Sequence, residues 1–163
     1  HHLLFFMKEV IFFIPCMIIL SLIFSFSAQN GDTSGGLSET ITTYVLETYD
    51  FFFHPESAPN VLVNRMDFIH FLIRKTAHVS EYFALCMSLL LPLNRVLNKK
   101  RNVLLISAIA SVVFAALDEY HQTFIPGRMG SIKDVLIDSI GITFACIVFY
   151  LACTFINKIK LRN

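Results

Sequence analysis

The sequence predicts an all-α integral membrane protein: a four-helix transmembrane bundle with amphipathic helical segments in its first outer loop. Three observations predict it. The 163 residues are 55% hydrophobic and 15% charged, against about 25% charged in soluble chains, and the mean hydropathy is +0.64. Four apolar runs approach the roughly 18 to 20 residues that a hydrocarbon core requires. Polar or small residues recur on one face of each run at helical spacing. A disordered chain is excluded and a soluble globule disfavoured. The formal net charge of +1 offers no basic excess for nucleic-acid phosphates, so nucleic acid is not an expected partner.

His1 and His2 precede a candidate initiator, Met7. Residues 1–6 are therefore read as a tag remnant, and 7–163 as one transmembrane domain. The first span covers about residues 10–28, with Pro15 one and a half turns in. A secretory signal is the rival reading, but no A-x-A-like cleavage site follows the run. Residues 30–36 then read as a turn, rich in Gly31, Asp32, Gly35 and Gly36. Leu37, Ile41, Val45 and Thr48 repeat at helical spacing behind Ser38, a candidate N-cap. Pro55 and Pro59 end that helix, and residues 61–73 form a second amphipathic stretch leading into span two. Both stretches are expected at the outer interface. Spans two, three and four cover about residues 76–93, 103–120 and 135–156. Cys16, Cys86, Cys146 and Cys153 lie in apolar runs without CxxC spacing and read as small packing residues.

Orientation follows from the positive-inside rule. Lys8, Arg95, Lys99, Lys100, Arg101, Lys158, Lys160 and Arg162 form one set, against Arg65, Arg74, Lys75, Arg128 and Lys133. The larger set is expected in the cytoplasm, with both termini, leaving residues 30–74 and 121–134 outside.

Ionisable residues inside spans are costly, so they normally face the bundle interior and pair or serve a function. In span two Lys75, His78, Glu81 and Tyr82 share a face. Counting from Leu93 at 1.5 Å per residue, Glu81 lies about 18 Å into a core roughly 30 Å thick. Asp118, His121 and Gln122 share a face of span three, extended by Ser111 and Ala115. Asp134, Asp138, Gly141 and Ala145 line span four, the small residues permitting close helix approach. Span one adds Ser21, Ser25, Ala28 and Gln29. The four stripes are expected to converge on a pocket opening outward. Pro126 and Gly127 signal a turn that would bring Arg128 over its mouth, where a planar guanidinium suits carboxylate or phosphate. The start of span four near Ser131 would also receive an anion.

A set of spaced motifs carries a family resemblance: Phe26-Ser27-Ala28-Gln29, Arg74-Lys75-Thr76-Ala77-His78 with Glu81-Tyr82, and Asp118-Glu119-Tyr120-His121-Gln122. Phe124-Ile125-Pro126-Gly127-Arg128 follows, then Asp134 with Asp138 and Gly141. In this order, from span one through span four, the chain resembles the VanZ-like family of bacterial membrane proteins. Ala28 departs from the pattern, where the family usually shows a second Ser. The resemblance implies a protein of the bacterial cytoplasmic membrane and cell envelope with four or more helices. The family is named after a member linked to resistance against the lipoglycopeptide teicoplanin. It implies no established reaction and no known cofactor.

Three roles are open for the polar cluster. In the first, His78, Glu81, Asp118, His121, Arg128 and Asp138 form a structural network whose members satisfy one another. In the second, an anionic lipid headgroup of prenyl-phosphate or cell-wall-precursor type binds there, making membrane lipids the expected partners. Arg74, Lys75 and Arg128 would grip phosphate, His121 and Gln122 would donate hydrogen bonds, and carboxylates would orient the cations. The full candidate set adds Ser27, Gln29, His78, Glu81, Asp118, Glu119, Asp134 and Asp138. The third role is lipid-phosphate hydrolysis, with His78, Glu81, Asp118 and His121 as catalytic candidates. Asp118-x-x-His121 facing His78-x-x-Glu81 would be a metal ligand set. Without metal, His121 or His78 would act as nucleophile or base, and Arg128 would stabilise charge. A transporter would need an oligomer, since four spans without a repeat offer little for alternating access. His54 and His70 read as interfacial polar residues outside the cluster, and Glu56 and Asp67 as solvated.

Overall fold

The structure is a computed structural model that describes residues 10–29, 31–53 and 59–161. The expectations placed on residues 1–6, Met7, Lys8, His54, Pro55, Glu56 and Arg162 lie outside the described residues. Among the described residues there are five helices and no strands: α1 (Ile14–Ser27), α2 (Gly31–Phe53), α3 (Pro59–Val96), α4 (Lys100–Gln122) and α5 (Ile132–Lys160). Three are long and apolar enough to cross a membrane: α3 over Arg65–Val96, α4 and α5.

The first apolar run is not one long helix. Phe12 and Phe13 form a turn, with the Phe13 N–H donating to the Val10 carbonyl at 3.0 Å, and α1 begins beyond it. Pro15 dictates this break, because it sits in the first helical turn, where its missing N–H would have no partner anyway. The 14 residues of α1 rise about 21 Å at 1.5 Å each.

The turn expected at residues 30–36 is overturned from Gly31 onward: helix α2 already runs there, and Ser38 lies inside it. Glycine in a helix costs roughly 1 kcal/mol relative to alanine, which elongation from the apolar-periodic residues behind it outweighs. The threonine hydroxyls bond within α2 rather than cap it, with Thr40 Oγ1 donating to the Gly36 carbonyl at 2.8 Å and Thr48 Oγ1 to that of Tyr44 at 2.7 Å. The amphipathic stretch at 61–73 and span two merge into one helix of 38 residues, about 57 Å long. Pro92 falls in its last turns.

The three-residue link Leu97–Lys99 makes α4 antiparallel to α3, and the link over residues 123–131 returns the chain as α5. Contacts in rising register, Asp138 to His78 and Cys146 to Cys86, show that α5 runs parallel to α3. The guanidinium of Arg95 lies 3.6 Å from the centroid of the Phe12 ring, so the start of the first apolar run is beside the end of α3.

The most extensive packing is α5 on α3. A Cβ added at Gly141 would collide with the Val79 backbone carbonyl, so only glycine allows this approach. Below it Ala145 is fully buried, and the free thiols of Cys86 and Cys146 lie 3.9 Å apart. Tyr82, Leu85, Leu90, Val103, Ile142 and Phe149 complete the interior. Ile109, Val113 and Leu117 on α4, and Leu136, Ile140, Phe144, Ile147 and Leu151 on α5, are exposed. They form the apolar outer faces that a bilayer would cover.

Gly141→Val is expected to force α3 and α5 apart. The unfolding transition of the detergent-solubilised protein should show a loss of about 1 to 3 kcal/mol or more, as overpacking does. Thr143→Val, on the exposed face, should leave that transition within about 0.5 kcal/mol.

Candidate functional site

The polar stripes meet where α1 and α4 end and α5 begins. Arg128 reaches this end because the link between α4 and α5 doubles back. Ile125 N–H donates to the Gln122 carbonyl and Arg128 N–H to that of Ile125, both at 3.1 Å. Gly127 sits at φ 75°, the left-handed region that a side chain disfavours. Next, a Cβ at Gly130 would strike the Glu119 carbonyl, so the link packs tightly on α4. That contact lets Ser131 N–H donate to Glu119 Oε2 at 2.8 Å, while Ser131 Oγ caps α5 by accepting from Lys133 N–H at 3.2 Å.

Arg128 is only 9% exposed, and its Nη2 donates to the Phe26 carbonyl at 2.8 Å. That carbonyl lies in the last turn of α1, where it also accepts from Gln29 N–H at 3.3 Å. Burial, then neighbouring Arg74, push the Arg128 pKa below its ordinary value, against the pull of Asp118, Glu119 and Glu81. A guanidinium nevertheless stays charged in proteins, so this is a positive charge held at the protein's polar end.

Around it is a cavity of about 140 Å³, lined by Ser27 and Gln29 from the end of the first apolar run, Arg74, His78 and Glu81 from α3, Asp118 from α4, and Arg128. Gln122 Nε2 fixes Asp118 by donating to Oδ2 at 2.9 Å. The remaining candidates are distributed differently. Lys75 donates to Asp134 across α3 and α5, and the pair borders an adjoining cleft with His70 and Asp67. Both residues thus lie nearer the polar groups than their apolar surroundings in sequence imply. Glu119 and Asp138 approach His78 from behind the cavity. The His121 ring lies 4.8 Å from that of Phe24, tilted by 32°.

His121 therefore points at α1. Within the described residues, the set whose donor atoms gather for a metal is His78, Glu119 and Asp138. Helix geometry accounts for the change of partner. Successive residues are rotated by about 100°, so when Asp118 faces the cavity, Glu119 turns towards α5. His78 Nδ1 lies 3.9 Å from both Glu81 Oε2 and Asp138 Oδ1, beyond hydrogen-bonding reach.

Two features have no counterpart in the sequence reading. One is the Phe26 carbonyl, because a backbone acceptor carries no residue-type signal. The other is an apolar groove of about 410 Å³ between α1 and α4, walled by Leu20, Phe24, Phe114 and Leu117, with Tyr82, Asp118 and His121 among its lining. It shares Ile23 and Asp118 with the polar cavity. The pairing of α1 with α4 creates it, and hydrophobic periodicity does not specify which helices pair.

A family model described as VanZ/LLP1 matches residues 12–154, a stretch that includes every residue of the polar cavity. No curated protein and no solved structure matches the chain.

Lys75→Met should destabilise the protein by less than the roughly 3 to 5 kcal/mol of breaking a fully buried pair, since both partners keep some exposure. The double variant Lys75→Met/Asp134→Leu should recover much of that loss. Thermal melts of the two single variants and the double close the cycle.

Proposed function

The chain belongs to the VanZ/LLP1 family, and from that premise we propose that it is a bacterial cytoplasmic-membrane protein whose outward polar cavity receives an anionic lipid headgroup. The ligand class is a prenyl-phosphate or cell-wall-precursor lipid. On this reading the first apolar run is a fourth span, both termini are cytoplasmic, and the cavity opens to the outer leaflet.

The supporting observation is the junction of two unlike spaces. Two guanidinium side chains, Arg74 and Arg128, line a polar cavity that shares Ile23 and Asp118 with an apolar groove. A lipid phosphate needs both: cations with planar donor forks for the anion, and an adjoining wall of Leu20, Phe24, Phe114 and Leu117 for the first carbons of its chain. At about 140 Å³ the polar space is well below the roughly 300 to 1,000 Å³ of drug-sized pockets, which favours a compact headgroup. Glu81 and Asp118 share that space with the two arginines. Ser27 and Gln29 supply neutral hydrogen-bonding groups at the rim. Resistance to teicoplanin-type lipoglycopeptides would then act through the bound lipid, as a change in how a cell-wall carrier is held or presented.

Native mass spectrometry of the detergent-released protein tests this. Wild type should carry a stoichiometric phospholipid or prenyl-phosphate adduct. Arg128→Ala should bind added prenyl phosphate roughly 10-fold to 100-fold more weakly, the equivalent of about 1.5 to 3 kcal/mol for hydrogen bonds to a charged group. Equal binding by both proteins would refute the headgroup site.

Orientation has its own test in a variant lacking the four native cysteines. Cysteine at Gly36, where an added Cβ meets nothing within 4 Å, should react with an impermeant thiol reagent on whole cells. Cysteine at exposed Asn98 should be protected. The reverse pattern would put the cavity at the cytoplasmic face.

A further inference from the structure

Behind the headgroup cavity lies a group of buried polar atoms without protein partners: Nδ1 of His78, Oε1 of Glu119, and both carboxylate oxygens of Asp138. Asp138 is 0% exposed and Glu119 3%. An ionised carboxylate removed from water without a donor or counter-ion is strongly disfavoured; both oxygens of Asp138 lack a donor, and Glu119 has one at Oε2 alone. We propose that His78, Glu119 and Asp138 hold a divalent first-row transition-metal ion.

The three side chains come from three different helices, α3, α4 and α5, and one donor atom from each lies within 4.8 Å of the other two. Ligands about 2.0 to 2.2 Å from a common ion lie at most about 4.4 Å apart, so a small side-chain rotation closes the set. Glu119 already has the division of labour of a metal ligand. Its Oε2 accepts the Ser131 N–H at 2.8 Å, fixing the carboxylate and leaving Oε1 free, as hydrogen bonds outside the coordination sphere orient ligands elsewhere. Two carboxylates neutralise a 2+ charge. One imidazole among them favours Mn²⁺, Fe²⁺ or Zn²⁺ over the all-oxygen preference of Ca²⁺ and Mg²⁺.

His78 also lines the headgroup cavity, so an ion held there cancels the negative charge of Glu119 and Asp138 behind that wall and leaves Arg74 and Arg128 freer to meet an anion. That consequence rests on the headgroup reading; the metal site does not.

The test uses the full chain in detergent, stripped with chelator, and Mn²⁺ alone or Zn²⁺ alone as probe. Equilibrium dialysis with elemental analysis should find one equivalent per chain for at least one of the ions. Asp138→Asn and Glu119→Gln, which preserve size, should weaken binding by more than the roughly 10-fold to 100-fold cost of losing an outer hydrogen-bond partner. Glu39→Gln, on the exposed face of α2, should not. The bound ion should raise the melting temperature of wild type but not of Asp138→Asn. His78→Gln supplies the same comparison if that variant does not accumulate. Absence of saturable binding would overturn the site and leave a proton shared by Glu119 and Asp138 as the occupant. Binding abolished by Asp118→Asn or His121→Ala but intact in Glu119→Gln and Asp138→Asn would also overturn it. Lipid adducts measured on chelated protein separate the two proposals. A lipid adduct without metal binding refutes only the metal site, and metal binding without a lipid adduct refutes only the headgroup site.

Discussion

The contact of α5 on α3 at Gly141 is the constraint on which the polar end depends. With no side chain at that position, the two backbones close on each other at Val79. Because His78 adjoins Val79 and Asp138 lies about one turn from Gly141, this contact sets how far His78 is from Asp138. It also brings Lys75 to Asp134. A wider crossing would separate each of these pairs and flood the interval with lipid or water. The second tight contact, Gly130 on the Glu119 carbonyl, performs the same service for α4, since it brings Ser131 N–H to the Glu119 carboxylate. Two glycines thus determine how closely the polar groups of α3, α4 and α5 approach.

The charged residues divide into three environments, each with its own physical logic. Lys75 and Asp134 neutralise each other at the flank. Arg74, Arg128, Glu81 and Asp118 line a common space. Asp138, Glu119 and His78 are packed behind that space with donor atoms unsatisfied. A purely structural network would be expected to pair its members, because an unmatched buried polar group is costly. The first environment meets that expectation and the third does not. The second keeps Arg128 Nε and Ser27 Oγ unmatched, and the third leaves atoms of all three of its residues unmatched.

The sequence revealed the apolar helices and the end of the protein where their polar faces meet, for particular reasons. Asp134, Asp138, Gly141 and Ala145 lie on one face by spacing alone, so the α5 stripe was legible before any contact was known. The charges of α3 were legible in the same way, since Lys75, His78, Glu81 and Tyr82 repeat with the helical period. Partners across helices were not. Nothing in Asp118-Glu119 says which of two adjacent acids turns towards α5, because that depends on a rotation set by packing at Gly130 and Gly141. The direction of His121 follows from where Phe24 lies. The beginning of α2 is helical where a turn is expected, because glycine-rich residues signal turns locally, whereas helix propagation from a neighbouring segment is not a local property.

The length of α3 has a mechanical consequence. Sharp kinks in helices occur almost always at proline, glycine pairs or bulges, and residues 60–91 contain neither proline nor glycine; Pro92 lies only near the far end. The helix is therefore a stiff lever, with α2 packed against it and Arg74, His78 and Glu81 carried part-way along it. Any tilt imposed at one end swings those three side chains together, with no flexible joint to absorb the motion. The shape of the polar cavity and the angle of α3 to the membrane are then a single mechanical variable.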